Sequence, residues 1–247
     1  MSGNDFLYPM KKVALLLLIL TSTCYVAFAQ DRVTTFGFGY KPIFPSSYFR
    51  TGPQNFSDKG IDYIIAQQSG FTAGGLVRHG ISNRISIESG IMYTKRNYDL
   101  TIIDSTFQGK SDFKIIGYEI PLNGLVFIQL GQKLWMNVTM GLSLDLFPSD
   151  IYTDENYFRH YSARNHTVNT GLNAMTGIEY RTKKGGYIYF GAAYHRTFSH
   201  IYDSLVEYYP DRTLAKPPTS IGRTNYQGDY FTFDIRYYFH EAPEKKK

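Results

Sequence analysis

Apolar and polar residues alternate along residues 134–146 with a period of two. A period of two indicates a β-strand, and about 9 to 11 residues are what a tilted strand needs to cross a bilayer. The segment therefore predicts a membrane-spanning strand that is apolar on one face and polar or small on the other. The apolar positions are Leu134, Met136, Val138, Met140, Leu142, Leu144 and Leu146.

The preceding segment, residues 114–129, repeats this alternation. Only residues 130–133 separate the two segments, so together they predict a hairpin closed by a tight turn. The apolar face of the first segment carries Ile116, Tyr118, Ile120, Leu122, Val126 and Ile128.

Eight segments of this kind occur in the chain, and long and short connections alternate between them. An even strand number, brief turns at one end and extended loops at the other are typical of bacterial outer-membrane barrels. The sequence therefore predicts an all-β fold: an eight-stranded antiparallel transmembrane β-barrel with short periplasmic turns and four long extracellular loops. The predicted strands are 33–40, 70–79, 84–96, 114–129, 134–147, 166–181, 187–198 and 228–239. The predicted long loops are 41–69, 97–112, 148–165 and 200–226.

The amino terminus has the three parts of a secretory signal peptide. Two lysines precede an apolar run at 13–20, and an Ala-x-Ala site ends at Ala29. These features predict cleavage after Ala29 and export to the outer membrane. The predicted organisation is a signal peptide at 1–29, a barrel at 30–240 and a charged periplasmic tail at 241–247. Met10 stands directly before the lysines and is a second candidate for the start.

Cys24 is the only cysteine in the chain and falls inside the predicted signal peptide. Disulfides and cysteine-based metal sites are therefore not expected in the mature protein. A lipoprotein anchored through Cys24 is the less favoured alternative, because the preceding residues match the usual small-residue lipid-attachment pattern poorly.

Composition changes this interpretation little. The formal charge is +5 in 247 residues, and no basic stripe with interleaved aromatics suggests nucleic acid. Mean hydropathy is −0.28, which suits strands in which every apolar side chain is followed by a polar one. Aromatic residues reach 17%, which suits the aromatic girdles of a membrane barrel.

The inward face of the predicted barrel carries charge. Side chains fill an eight-stranded barrel, and an unpaired buried charge costs several kcal/mol, so we expect an ionic plug in the lumen rather than an open pore. A specific hypothesis is that Arg236 neutralises Glu179 or Glu88. The plug is predicted to contain Glu88, Glu119, Asp145, Glu179, Asp234 and Arg236, and further inward-facing candidates are Arg78, Arg96 and His195.

Tyrosines crowd the third and fourth predicted loops. Tyrosine gives a large contact area at small entropic cost, and loops on a rigid scaffold often carry function. These residues are therefore candidates for partner binding, with mutual packing as the equally weighted alternative. They are Tyr152, Tyr157, Tyr161, Tyr202, Tyr208 and Tyr209.

Catalytic and metal-binding patterns are weak. His195, Ser199 and His200 lie close together in sequence, but no G-x-S-x-G motif occurs, so an enzyme is not expected. The histidines form no i, i+4 pair with a carboxylate, so neither a metal nor another cofactor is expected. His160 is expected to be a solvated loop residue.

Short motifs resemble a known family. G-Y-E-I-P-L at 117–122, the hairpin that follows and the closing F-T-F-D-I-R-Y-Y-F at 231–239 resemble the outer-membrane β-barrel domain family, also called the porin family or PorT-like, of Gram-negative bacteria. The resemblance implies an eight-stranded barrel inserted by the barrel-assembly machinery. It also implies that the last strand carries the assembly signal, at Phe233, Ile235, Tyr237 and Phe239.

These observations predict a non-enzymatic integral outer-membrane protein with a structural or interaction role through its extracellular loops. The alternatives are a subunit of a protein-secretion apparatus, as implied by the PorT-like resemblance, a narrow channel, and, least favoured, a lipid-modifying enzyme. The expected partners are outer-membrane lipid and lipopolysaccharide, the barrel-assembly machinery, and a protein bound at the loops or the periplasmic end.

Overall fold

A computed structural model describes residues 33–48, 50–182, 186–210 and 217–239. The prediction of an all-β antiparallel chain is confirmed, because these residues form thirteen strands in antiparallel pairs. The predicted signal peptide, Met10 and the tail at 241–247 lie outside the described residues. The strands are β1 (Thr34–Phe44), β2 (Gln54–Asp58), β3 (Ile61–Gly80), β4 (Ile85–Ile103), β5 (Gln108–Gln129), β6 (Leu134–Leu146), β7 (Ile151–Glu155), β8 (Phe158–Arg164), β9 (Val168–Arg181), β10 (Tyr187–Thr197), β11 (Tyr202–Tyr208), β12 (Ser220–Tyr226) and β13 (Tyr230–Tyr238).

Eight strands form a closed ring. Their order is β1, β13, β10, β9, β6, β5, β4 and β3, and β3 pairs again with β1. Each strand therefore has two hydrogen-bonded neighbours within the ring, and the sheet closes on itself there. We call this element the strand ring. In the part of the chain that the structure describes, no helix has the length and apolar character needed to span a membrane.

The ring is apolar outside and polar inside. On β6, Met140 and Leu142 are exposed on the outer face, whereas Thr139 and Ser143 are buried. The same alternation occurs around the ring, because a strand sends successive side chains to opposite faces. We call the outward apolar surface the apolar belt; each ring strand contributes to it through Phe38, Val77, Ile91, Leu122, Met140, Ile178, Phe190 or Phe233.

Inward-facing glycines make room for large lumenal rings. A Cβ at Gly37 would lie 2.6 Å from the Tyr238 ring, and one at Gly177 would lie 2.8 Å from the Tyr189 ring. Both distances are shorter than a carbon–carbon contact allows, so a side chain at either glycine would displace the ring. Gly37 and Gly177 are therefore part of how the lumen is filled.

The four predicted long loops are largely wrong. β3, β4 and β5 run well beyond the predicted strand ends, so that only residues 104–107 connect β4 to β5. β2 lies in the first predicted loop, β7 and β8 in the third, and β11 and β12 in the fourth. The physical reason is visible in β11, where Tyr202, Val206 and Tyr208 are buried at alternate positions.

The added strands form an outer sheet in the order β12, β11, β8, β7. Its buried face packs against the extended ends of β3, β4 and β5, so a second hydrophobic core lies above the strand ring. We call this the outer core; it includes Ile61, Tyr63, Ile65, Tyr98, Leu100, Ile102, Phe113, Ile115, Phe147, Phe158, Ile201, Tyr202, Val206, Tyr208 and Tyr226.

Candidate functional site

The lumen near the short turns holds a buried ionic cluster centred on Arg236. Arg236 Nη1 lies 2.5 Å from Glu88 Oε1, and the same guanidinium forms an ion pair with Asp234. Tyr238 donates its hydroxyl to Glu88. Asp234, Arg236 and Tyr238 converge because they occupy alternate positions of β13 and therefore share its inward face.

A second carboxylate links this cluster to two more arginines. Glu179 lies 2.5 Å from Arg78 Nη1 and 2.6 Å from Arg181 Nε. Arg78 also contacts Glu88 at 3.4 Å, which joins the two groups. Of the two partners proposed for Arg236, the structure therefore places Glu88 beside it and gives Glu179 to other arginines.

Two basic residues of this cluster were not identified from sequence. Lys41 is buried, and its charge acts on Glu88 and Asp234. It was missed because the first strand was predicted to end one residue earlier. Arg181 was missed because it lies at the rim, where its guanidinium is 4.5 Å from the ring centroid of Trp135.

Further along the lumen, His195 joins two carboxylates. Its Nε2 lies 2.9 Å from Asp145 Oδ2, and its Nδ1 lies 2.8 Å from Asn173 Oδ1. Asn173 in turn donates its amide N–H to Glu119 Oε1, which fixes the amide orientation. Both ring nitrogens therefore face acceptors, and this geometry suits a doubly protonated imidazolium.

Arg96 completes this group without a carboxylate contact. Its guanidinium lies 4.7 Å from the ring centroid of Tyr230, and the His195 ring stacks on the same tyrosine with ring centroids 4.7 Å apart. Tyr230 donates its hydroxyl to Glu119 Oε2 at 2.6 Å. Aromatic rings thus hold a buried cation at the level where the lumen meets the outer core.

The charges of the whole network balance closely. When His195 is left out, the network has equal numbers of basic and acidic side chains. Equal numbers allow every buried charge to be compensated by an opposite one. We call this set the lumenal network. Its bases are Lys41, Arg78, Arg96, Arg181 and Arg236, and its acids are Glu88, Glu119, Asp145, Glu179 and Asp234.

Three side chains of the network could hold a metal ion. Glu119, Asp145 and His195 each offer a donor atom, and these atoms lie within 4.8 Å of one another. Sequence spacing gave no sign of this grouping because the residues come from three strands. The His195–Asp145 hydrogen bond already occupies both donor atoms, so a metal would have to displace it, and Arg96 adds positive charge nearby.

The serine and histidines near the end of β10 do not form a catalytic group. His200 Nε2 lies 3.2 Å from Asp203, but Ser199 donates its hydroxyl to Asn169 instead. His195 points into the lumen, where it contacts Asp145. The structure therefore separates residues that are neighbours in the sequence.

The six tyrosines proposed as a binding surface divide into two groups. Tyr152 and Tyr161 are exposed. Tyr157 is half-buried and packs on Phe107, with ring centroids 5.0 Å apart. The other three are buried, Tyr202 and Tyr208 on β11 and Tyr209 directly after it, so the structure favours the packing alternative for these three.

His160 is also buried, which corrects its assignment as a solvated loop residue. It lies on β8, and its Nε2 is 2.8 Å from Ser162, 3.1 Å from Ser204 and 3.0 Å from Tyr226. Burial lowers the pKa of His160 to about 4, because no carboxylate compensates for the lost hydration of the charged ring.

The low pKa of His160 predicts acid sensitivity of the outer sheet. The unfolded chain takes up a proton below an ordinary pKa of 6.5, whereas the folded protein does so only near 4. Between these values the unfolded state binds more protons, so stability is lost as pH falls, by about 3 kcal/mol in total. Protease resistance of the outer sheet at pH 7 and pH 5 measures the part of this loss that falls between those two values, about 2 kcal/mol. His160→Gln should flatten the dependence, and an equally steep profile in that variant would contradict the assignment.

The last strand displays the residues proposed as an assembly signal. Phe233, Ile235, Tyr237 and Phe239 are all exposed on the outer face of the strand ring. Phe239 packs edge-on against Tyr237, with centroids 5.3 Å apart, and donates its backbone N–H to Phe36. Recognition by an assembly machinery stays a prediction.

The fold and the lumen together define a closed antiparallel β-protein with an apolar exterior and a charged, filled interior. No protein-family model matches the sequence, and no curated protein does. Similar solved structures include the outer membrane protein OprG from Pseudomonas aeruginosa, which is 13% identical with a TM-score of 0.49 over 86% of this chain and 97% of that chain. The β domain of the Bordetella autotransporter BrkA is 11% identical, with a TM-score of 0.33 over 85% of this chain and 99% of that chain. Similarities at this level assign no family, and the PorT-like resemblance is not confirmed.

Proposed function

We propose that this chain is an integral outer-membrane protein whose strand ring crosses the bilayer as an eight-stranded barrel. The observation that carries the proposal is the inverted distribution of side chains, with an apolar belt outside and a lumenal network inside. A water-soluble protein would bury the belt, since exposed apolar surface of this extent is unfavourable in water. Lipid is the surrounding that suits it.

Aromatic contacts on the belt support the same placement. Phe44 and Phe233 lie with ring centroids 4.9 Å apart near one end of β1, and Phe38 and Phe239 lie 5.8 Å apart nearer the short turns. Aromatic side chains concentrate at both interfaces of membrane barrels. In this proposal the short turns face the periplasm, the outer sheet lies outside the cell, and residues 1–29 direct export.

The proposed role is structural or interactive rather than catalytic. The lumenal network occupies the interior of the barrel with ion pairs, hydrogen bonds and ring contacts, which favours a plug over a channel. The outer sheet then serves as a rigid platform for a partner at the cell surface. A subunit of a secretion apparatus fits this description, and a lipid-modifying enzyme fits it less well.

Planar-bilayer recording tests the plug. The purified protein, reconstituted in its folded form, should show no steady conductance, because buried ion pairs around Arg236 and His195 occupy the lumen. Heat-modifiable migration on a detergent gel provides the control that the inserted protein is folded. Stable single-channel steps from the folded form would overturn the plug and favour the narrow channel.

A further inference from the structure

The outer part of the molecule has two seams between its sheets, and they differ. At the seam between β2 and β12, Asp58 accepts hydrogen bonds from the Ser220 hydroxyl and the Ile221 N–H, both at 2.9 Å. Thr224 donates its hydroxyl to Gln54 at 3.2 Å. Side chains therefore close this seam although the strands do not pair directly.

The seam between β5 and β7 is open. The β5–β6 ladder begins at Tyr118↔Leu146, so the first ten residues of β5 pair with β4 alone. β7 pairs with β8 alone. Among the described residues, no hydrogen bond joins residues 108–116 to Ile151–Glu155. We call this gap the β5–β7 seam.

The register identifies which β5 backbone groups face the seam. Phe127 donates its N–H to Arg84 on the β4 side, and the β4–β5 register is the same from Ile85↔Val126 to Ile103↔Gln108. Successive residues of a strand direct their N–H and C=O groups to opposite edges. The backbone groups of Asp112 and Lys114 therefore point into the seam, away from β4.

The same argument applies to β7. Asn165, next to β8, donates its N–H toward β11, whereas Arg164 donates its N–H to Asp150 on the β7 side. Since β8 pairs Ile151↔Ser162 and Thr153↔His160, Ile151 and Thr153 face β8. The backbone groups of Tyr152 and Asp154 then point into the seam from the other side.

A cavity of about 320 Å³ lies between these two edges. The buried rings of Phe113 and Tyr202 line it, together with Ile116 and Ile151. A volume of this size accepts apolar side chains but not a folded domain. The seam thus offers unpaired strand edges, which can hydrogen-bond to the backbone of an added strand. It also offers a cavity lined by aromatic rings, which can accept every second side chain of that strand.

We infer that the β5–β7 seam binds an extended segment of a partner protein by strand addition. Main-chain hydrogen bonds to the edge of β5 hold the segment, and its alternate apolar side chains enter the cavity. The outward face of this rim carries Asp112 and Lys114, both exposed and without an ion-pair partner among the described residues, so it suits polar side chains on the outward face of the segment. This inference deepens the interaction role proposed above.

A designed peptide tests the inference in the full chain solubilised in detergent. The probe is a capped, fluorescein-labelled peptide of seven residues in which phenylalanine and valine alternate with lysine and threonine. Its matched control is the same peptide N-methylated at every backbone nitrogen, which cannot donate a hydrogen bond to a strand edge from either side. Fluorescence anisotropy should show the probe binding at least about tenfold more tightly than the control, because several main-chain hydrogen bonds of about 1 kcal/mol each are lost.

A pair of variants at one position locates the binding edge. Lys114→Pro removes an N–H that faces the seam and is not used by β4, and the proline ring obstructs pairing. It should weaken probe binding about tenfold, whereas Lys114→Ala, which keeps the N–H, should change it less than about threefold. Heat-modifiable migration checks that both variants are folded.

Three results would overturn strand addition at this seam. They are equal binding of the two peptides, equal binding to the Lys114 variants, and a dimer of the wild-type protein that Lys114→Pro abolishes, which would make a second copy the occupant. A chain that binds the probe but needs no detergent would refute the membrane proposal and leave this inference intact.

Discussion

Arg236→Met should lower the stability of the strand ring by about 3–5 kcal/mol, because it removes the ion-pair partner of Asp234 and leaves Glu88 with the longer Arg78 ion pair at 3.4 Å. Arg236 is 2% exposed and forms ion pairs with both Glu88 and Asp234. Neither carboxylate can turn to solvent, since both face the lumen of a closed ring. Urea unfolding of the protein in phospholipid vesicles measures the loss, with emission from Trp135, the chain's single tryptophan, as the signal.

Two further variants distinguish the loss of the lumenal ion pairs from the effect of removing an arginine at any position. Arg84→Met, at an exposed position beside the short turn after β3, should change stability little. Adding Asp234→Asn to Arg236→Met should recover part of the loss, because the lumenal network then again has equal numbers of basic and acidic side chains, four of each. A single variant as stable as the wild type would show that the ion pairs around Arg236 do not hold the lumen together.

Phe158→Ala should unfold the outer sheet and leave the strand ring intact. Phe158 is 1% exposed in the outer core, and truncating a buried phenylalanine costs about 3–5 kcal/mol. The outer sheet is joined to the rest of the chain by its connections, by this core and by the side-chain hydrogen bonds between β2 and β12, and none of these lies within the lumen, so the damage should stay local. Limited proteolysis in vesicles should cut within β7, β8, β11 or β12 at least about a hundredfold faster, as a free-energy change of this size implies.

Tyr161→Ala is the matched control, because Tyr161 lies on the same strand but is exposed on its outer face. Its proteolysis should resemble that of the wild type. If Phe158→Ala were cut at the wild-type rate, the outer core would not stabilise the outer sheet. If ring strands were cut as well, the two parts would unfold as one unit.

The ring strands could be predicted because lipid imposes a strict pattern on them. On β5 and β6 the outward positions are apolar without a long interruption, so a period of two is visible in a single sequence. The lumenal acids and bases were visible for the same reason, as polar residues at alternate positions. Their pairing was not, because the choice of Glu88 for Arg236 and of Glu179 for Arg78 depends on register between distant strands.

The outer sheet escaped prediction because its strands follow a different rule. The exposed face of the outer sheet faces solvent, and its buried face contains tyrosine, histidine and serine as well as aliphatic residues. β8 and β11 therefore lack the clear alternation of apolar and polar side chains seen in β6. Prolines and aspartates at the ends of these segments added loop character. Tyr202 and Tyr208 were therefore placed on a surface when they belong to a core.

Photolabelling of the unmodified protein in phospholipid vesicles tests the inverted side-chain distribution most directly. A lipid-soluble diazirine, activated by light and mapped by peptide mass spectrometry, should label Val138, Met140, Leu142 and Leu144 of β6. The alternate residues Asn137, Thr139, Ser143 and Asp145 should stay unlabelled, because they face the filled lumen. Labelling without a period of two, or a chain that remains in water with no label at all, would contradict a membrane-spanning ring.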